Sequence, residues 1–368
     1  MAIGCDRPDF PGHRLHKLHI MKKIRFGITG SGYMARTHAE AIRRLPEDAV
    51  VVAIWGGSRA PALAKQYGAA CESSVEALAR RSDIDAVVIT TPHDMHIKEA
   101  MLSLETDKHL LIEKPMATTL ADCDRILGEA ARRNLVIGTG YNARFRVNPL
   151  RARELIAENA IGRVLTMHFS LLYDLGPFNA AVMGGTKSWL NQPENIGNII
   201  DGLPHAIDLF RWFTGAEVKS VSALCRTFMP SRPLVEDTTI ALIEFDNGAL
   251  CSVNTTCALP GPFPGQDLRL TIIGSTGLLE LDAFGDMHLS DRQGWRLASR
   301  QPPVNPEDPN LAFGDVRMKA YCSQMSSFID GIRGKPMVMG NGADGRAGVA
   351  VCLAMLQSSR ERRWIELA

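Results

Sequence analysis

The 368-residue chain carries almost no net charge: 41 Lys and Arg face 40 Asp and Glu, leaving +1. Near-neutrality excludes a nucleic-acid binder held mainly by phosphate contacts. No apolar run approaches the roughly 20 residues that a bilayer-spanning helix needs, so no membrane partner is expected. The eight cysteines are Cys5, Cys71, Cys123, Cys225, Cys251, Cys257, Cys322 and Cys352, and no two have C-x-x-C spacing. That pattern argues against a zinc site and, at this length, against a disulfide framework. Reduced thiols packed as small hydrophobes are expected, and with them a cytoplasmic location. Internal repeats and low-complexity segments are absent. The opening residues lack the apolar stretch of a signal peptide. They carry Pro8, Pro11, His13, His16 and His19. A disordered extension over residues 1–21, or a true start at Met21, explains them more simply than a metal-binding tract.

What is present suits a globular protein. Hydrophobic residues are 45% of the chain and charged residues 22%, and about 100–200 residues per domain gives two domains. From Lys22, apolar strands alternate with amphipathic helices. Strands are predicted at Ile24–Thr29, Val50–Trp55, Ala86–Ile89, His109–Ile112 and Leu135–Thr139. Helices are predicted at Met34–Arg44, Ala60–Tyr67, Ser74–Arg81, Met95–Leu104 and Leu120–Arg133. Strands apolar throughout indicate a parallel sheet covered on both faces, here a doubly wound α/β domain over residues 22–142.

The pattern changes over residues 143–368. Helices are predicted at Leu150–Glu158, His205–Phe213, Arg317–Ile332 and Asp344–Ser359. Strands are predicted at Val164–Leu172, Val218–Cys225, Thr238–Phe245, Leu250–Thr256, Leu268–Ile273 and Leu278–Leu281. Asn247-Gly248 between two of these is a hairpin signal. The second domain is therefore α+β with an open, mostly antiparallel sheet, its C-terminal helix packing back on the first domain. The segment 174–198 reads as irregular.

Gly30-Ser31-Gly32-Tyr33-Met34-Ala35 is a G-x-G-x-x-A placed after a strand and opening a helix. Gly30 permits a tight turn, Gly32 lets a pyrophosphate approach the backbone, and the helix N-terminus favours phosphate. This is the Rossmann dinucleotide fingerprint. An NAD site usually has Asp or Glu after the second strand, to hold the ribose 2′-hydroxyl. Here Trp55-Gly56-Gly57-Ser58-Arg59 contains no carboxylate. Ser58 and Arg59 suit a 2′-phosphate, which favours NADP over NAD. The plainer alternative is that Ser58 caps the next helix and Arg59 is solvated.

Thr90-Thr91-Pro92-His93-Asp94-Met95-His96 and Glu113-Lys114-Pro115 follow strands whose carboxyl ends form the ligand crevice of an α/β sheet. A lysine there can hold a substrate hydroxyl. His93 and His96 lack a third ligand, so no metal is expected. Asp201-Gly202-Leu203-Pro204-His205 puts a histidine four residues after an aspartate at a helix start. This suits proton transfer near neutral pH, and equally suits capping and packing. Asp208 reads as a charge-pair residue.

The runs GITGSGYMARTHAEA, TTPHDMHIKEA, HLLIEKPMATT, GYNARFRVNP and DGLPHAIDLFRWFTG together resemble the Gfo/Idh/MocA oxidoreductase family, which includes glucose–fructose oxidoreductase and inositol dehydrogenase. The resemblance spans Lys22 to Leu367. It implies that Lys114 is the catalytic lysine, His205 the acid/base and Asp201 part of the same group. Gly30, Gly32, Tyr33 and Met34 match the pyrophosphate loop. Thr91, Pro92, His93 and His96 match the cofactor groove, and Glu113, Lys114, Asn142 and Trp189 match positions beside the cofactor. Where the family often has three glycines, this chain has Ile196-Gly197-Asn198, which alters the pocket. The implied activity is hydride transfer between NAD or NADP and a secondary alcohol of a sugar-like or polyol substrate. Relatives that use bound NAD transiently in glycoside cleavage or elimination are the alternative, and a non-catalytic binding protein is a third. A homodimer or homotetramer is expected, because an open sheet needs its second face covered.

Overall fold

A computed structural model describes residues 22–173, 197–228, 236–259, 266–302 and 313–367. The first lobe is a six-stranded parallel sheet. Its strands are β1 (Ile24–Thr29), β2 (Ala49–Trp55), β3 (Ala70–Cys71), β4 (Ala86–Ile89), β5 (His109–Ile112) and β6 (Ile137–Thr139), in the spatial order β3-β2-β1-β4-β5-β6. Every residue of β4 is buried, as a strand with helices on both faces requires. Helices α1 (Tyr33–Arg43), α2 (Ala60–Tyr67), α3 (Val75–Ala79), α4 (His96–Glu105) and α5 (Leu120–Arg132) connect the strands. The order reverses between β1 and β4, and the crevice at their carboxyl ends is where such sheets take ligands.

After β6, a 3-10 turn (Asn142–Phe145) leads into α6 (Val147–Ala157). This helix starts three residues before its predicted first residue, because Pro149 is tolerated in a first turn. The second lobe is a nine-stranded sheet. Its strands are β7 (Val164–Tyr173), β8 (Val218–Arg226), β9 (Thr238–Phe245), β10 (Leu250–Thr256), β11 (Gln266–Gly274), β12 (Leu278–Asp282), β13 (Asp286–Asp291), β14 (Gly294–Arg300) and β15 (Ile365–Glu366). The order is β14-β13-β12-β11-β7-β10-β9-β8-β15. Only β7 and β10 pair in parallel; the other neighbours are antiparallel. The hairpin β13–β14 has no counterpart in the sequence reading. Its last strand is mostly solvent-exposed, so it lacks the apolar alternation that marks a half-buried strand.

Helices α7 (Gly197–Gly202), α8 (Pro204–Thr214), α9 (Asp315–Ile332) and α10 (Gly342–Glu361) complete the chain. One sheet face packs on α8, with the rings of Phe169 and Phe210 5.2 Å apart. The last two helices return to the first lobe. Phe328 of α9 meets Phe26 of β1 at 6.3 Å, and α10 lies against α5 and β6. The lobes thus share hydrophobic packing around the crevice. Among the described residues no helix is long and apolar enough to cross a membrane.

Candidate active site

The dinucleotide loop is shaped by contacts that only glycine allows. Gly30 has φ +95°, and a Cβ there would lie 2.6 Å from Thr90 Oγ1. Its N–H donates to Trp55 O at 2.7 Å. Gly32, the N-cap of α1, receives no side-chain cap, so the first N–H groups of the helix face open space. The nearest atom to a Cβ built on Gly32 is Arg59 Nη2, at 3.7 Å. These features fit a dinucleotide pyrophosphate at the start of α1. Tyr33 and Met34 are half-buried in the first turn, and the Arg317 guanidinium lies 4.6 Å over the Tyr33 ring. Burial pushes the Tyr33 hydroxyl up to about 12. Ser58 and Arg59 are exposed. Arg59, not Ser58, is the N-cap of α2, and no side chain caps that helix. The arginine reaches back over the glycine loop.

Lys114 leaves β5 at the crevice, and its bond to Pro115 is cis. Its Nζ donates to Asp201 O at 2.6 Å and to Asp201 Oδ1 at 2.8 Å. Burial opposes the lysine charge, but the Asp201 carboxylate outweighs it and holds the pKa above the usual value. Asp201 Oδ1 also lies 3.8 Å from His93 Nε2. Asp201 comes from α7 and His205 from the first turn of α8, so one short break in the helix presents both. His205 Nδ1 is buried without a hydrogen-bond partner among the described residues, and Tyr141 packs edge-on to the ring at 5.9 Å. Burial and the Lys114 charge lower His205 to about 3. Residues from two separate parts of the chain therefore form one group: a charged amine, a carboxylate and a neutral imidazole.

A second layer lies beneath. Glu113 is buried and its Oε1 is 2.7 Å from His38 Nε2. Burial would raise the Glu113 carboxyl, but the His38 contact and the Lys114 charge hold it below the usual range. Thr91 donates to Glu99 Oε2 at 2.8 Å, and Thr29 donates to the same oxygen at 2.6 Å. His96 is 0% exposed. Its ring nitrogens lie 2.8 Å from Pro115 O and 2.9 Å from Thr91 O. It ties the end of β4 to the Lys114–Pro115 turn, so the structure places it under the groove, not on the groove surface. Pro92 precedes the short 3-10 turn His93–Met95, and Asn142 is buried at the start of its own. Asp208 is a charge-pair residue, held by Arg144 at 2.7 and 2.5 Å. Trp189 and Ile196 lie outside the described residues, as does the side chain of Asn198.

His38, Glu99 and Tyr141 were not singled out from sequence. Tyr141 stands in the Gly-Tyr-Asn run, which was the only available signal for it. Among the described residues no three His, Cys, Asp or Glu side chains are grouped to hold a metal.

A model described as an oxidoreductase family with an NAD-binding Rossmann fold matches residues 24–141. A second, for the GFO/IDH/MocA C-terminal domain, matches residues 150–280. A levoglucosan dehydrogenase from Pseudarthrobacter phenanthrenivorans is 25% identical, covering 94% of this chain and 99% of its own. A myo-inositol 2-dehydrogenase from Thermotoga maritima is also 25% identical, over 94% and 98%. Among solved structures, an oxidoreductase domain protein from Kribbella flavida matches with TM-score 0.80 and 26% identity, over 95% of this chain and all of that one. A levoglucosan dehydrogenase complex with NADH and L-sorbose shares the fold at TM-score 0.81 and 24% identity, again over 95% and 100%.

Proposed function

The chain belongs to the Gfo/Idh/MocA family of NAD-binding oxidoreductases, and we propose that Lys114, Asp201 and His205 carry its reaction on a secondary hydroxyl of a sugar or polyol. The observation that carries this reading is the Lys114–Asp201 contact at 2.8 Å beside the neutral His205 imidazole. In the oxidative direction His205 takes the hydroxyl proton, and in reduction it returns it. Its lowered pKa keeps it deprotonated at neutral pH, the form that can accept a proton. Lys114 hydrogen-bonds the substrate oxygen and stabilises the charge that develops there. Asp201 keeps the lysine charged and aimed. Bound nicotinamide supplies the chemistry of accepting and returning a hydride, and Gly30, Gly32, Tyr33 and Met34 would hold its dinucleotide. Lys114→Ala should lower kcat by roughly 100- to 10,000-fold, with NAD(P)H titration little changed. Turnover near that of the unaltered protein would refute the assignment.

NADP is favoured over NAD by the exposed Arg59, 3.7 Å from the Gly32 position and with no carboxylate after β2. A 2′-phosphate matches that guanidinium in charge and geometry. Arg59→Ala should weaken NADPH binding by roughly tenfold or more, the weight of one charge-assisted contact, and leave NADH binding within twofold. Tighter binding of NADH by the unaltered protein would overturn the preference. None of the seven described cysteines is in a disulfide, which suits a reducing compartment.

A further inference from the structure

Arg146 is a cation beside the site that the mechanism leaves unused. It forms the N-cap of α6, where the chain passes from the first lobe to the second. Its guanidinium lies 4.5 Å over the ring of Phe284, in the turn between β12 and β13. Two residues earlier, Arg144 is fully engaged by Asp208, by Val338 O at 3.0 Å and by Asp344 at 3.2 Å. Arg146 is half-buried, and its side chain makes no hydrogen bond or ion pair among the described residues. Among the described residues, the charged and titratable groups facing it are Tyr321, Arg317, Tyr33 and His205. No carboxylate is among them. Burial lowers its pKa, yet a guanidinium stays protonated. An enclosed charge without a counter-ion is costly, and proteins normally pair it.

The position selects what completes the pair. Arg146 stands close enough to His205 for its charge to act on that imidazole. It is anchored on Phe284 of the second lobe and faces Tyr33 of the first, so it stands between the lobes on the side of His205. We propose that Arg146 determines specificity by binding a carboxylate of the substrate, so that the enzyme takes a sugar acid or other polyhydroxy acid in preference to a neutral sugar. This rests on the oxidoreductase reading above. A carboxylate is planar and matches one guanidinium through two parallel hydrogen bonds.

The test uses pairs that differ only in the charged group: D-glucuronate against D-glucose, with D-glucose 6-phosphate as a third probe. Each is offered to the intact protein with NAD or NADP. Binding to the NADH- or NADPH-loaded protein is measured by calorimetry, alongside turnover. The expected result is tighter binding and higher kcat/KM for the hexuronate. Arg146→Gln should lower its kcat/KM by roughly 10- to 100-fold, the weight of a hydrogen bond to a charged group. That loss should fall mainly in KM, with neutral-sugar values changing by no more than a few-fold. Arg146→Lys should recover part of it. Hexuronate binding without turnover of any probe would sink the hydride-transfer reading and leave the carboxylate site standing. Equal binding of sugar and uronate, or preference for the phosphate, overturns the proposal. So does a loss in Arg146→Gln that appears in the NAD(P)H dissociation constant instead.

Discussion

Glu99 sits at the foot of the cofactor crevice, 1% exposed, with two threonine hydroxyls on Oε2 and nothing on the buried Oε1. Burial raises its carboxyl from 4.5 to about 7. The unfolded chain gives up this proton near pH 4.5, while the folded chain keeps it until about pH 7. Between those values the native state binds more protons, so stability falls as pH rises. Glu99→Gln removes the ionisation and keeps the shape. Its stability relative to the unaltered protein should therefore grow between pH 5 and pH 8, by roughly 1–3 kcal/mol. Denaturant melts at the two pH values read this directly, and parallel pH slopes would contradict it. His205 has the opposite sign. Its folded pKa of about 3 lies below the ordinary 6.5, so its contribution is intact above pH 6.5 and declines as pH falls towards 3.

At the scale of elements, α10 decides how tightly the second lobe closes on the first. Asn341 and Asp344 form a reciprocal capping box, with both contacts at 3.0 Å, and fix where the helix starts. A Cβ on Gly348 would lie 2.3 Å from Tyr141 Oη. Tyr141 is fully buried and packs against His205, so it has little room to yield. Gly348→Ala gains about 1 kcal/mol of helix propensity, but overpacking costs about 1–3 kcal/mol, and the steric cost should win. The variant should melt lower and show reduced kcat, because the displaced ring moves the imidazole. A variant more stable than the parent with full activity would show that the close contact relaxes freely. The helices other than α7 and most strands of both lobes were legible from periodicity, because their inward faces are largely apolar. The capping box and the β13–β14 hairpin were not. One begins the helix on two glycine-flanked polar residues, and the other lies at a solvated edge.

At the scale of the molecule, the second sheet buries one face, and among the described residues nothing covers the apolar side chains on the other around β9. Along β9, Thr239, Ala241 and Ile243 are buried, while Ile240 and Leu242 are 60% and 53% exposed. Leu224 and Leu250 extend this apolar surface onto β8 and β10. Contiguous apolar patches of this kind mark association surfaces, and the long flat sheet suits a second copy of the chain. Light scattering at micromolar concentration should give a dimer or tetramer. Ile240→Lys with Leu242→Lys should shift it towards monomer without altering the far-ultraviolet dichroism. A monomer in the unaltered protein would sink the reading.

The Gly-x-Gly loop, the Glu-Lys-Pro element and the Asp-x-x-x-His spacing were visible in the residue order, because each depends on neighbours a few positions apart. Backbone preference and burial periodicity are local, so they place each chemical group at the end of a strand or the start of a helix. Which groups meet is a different matter. Lys114 and Asp201 are 87 positions apart, and His38 and Glu113 are 75 apart. The first pairing depends on the closure of one lobe on the other, the second on the packing of α1 against the sheet of the first lobe, and both on water being driven out. Closure of the lobes engages Arg144 with Asp208 and Asp344, while Arg146 has no carboxylate partner among the described residues, though the two arginines look alike in the chain.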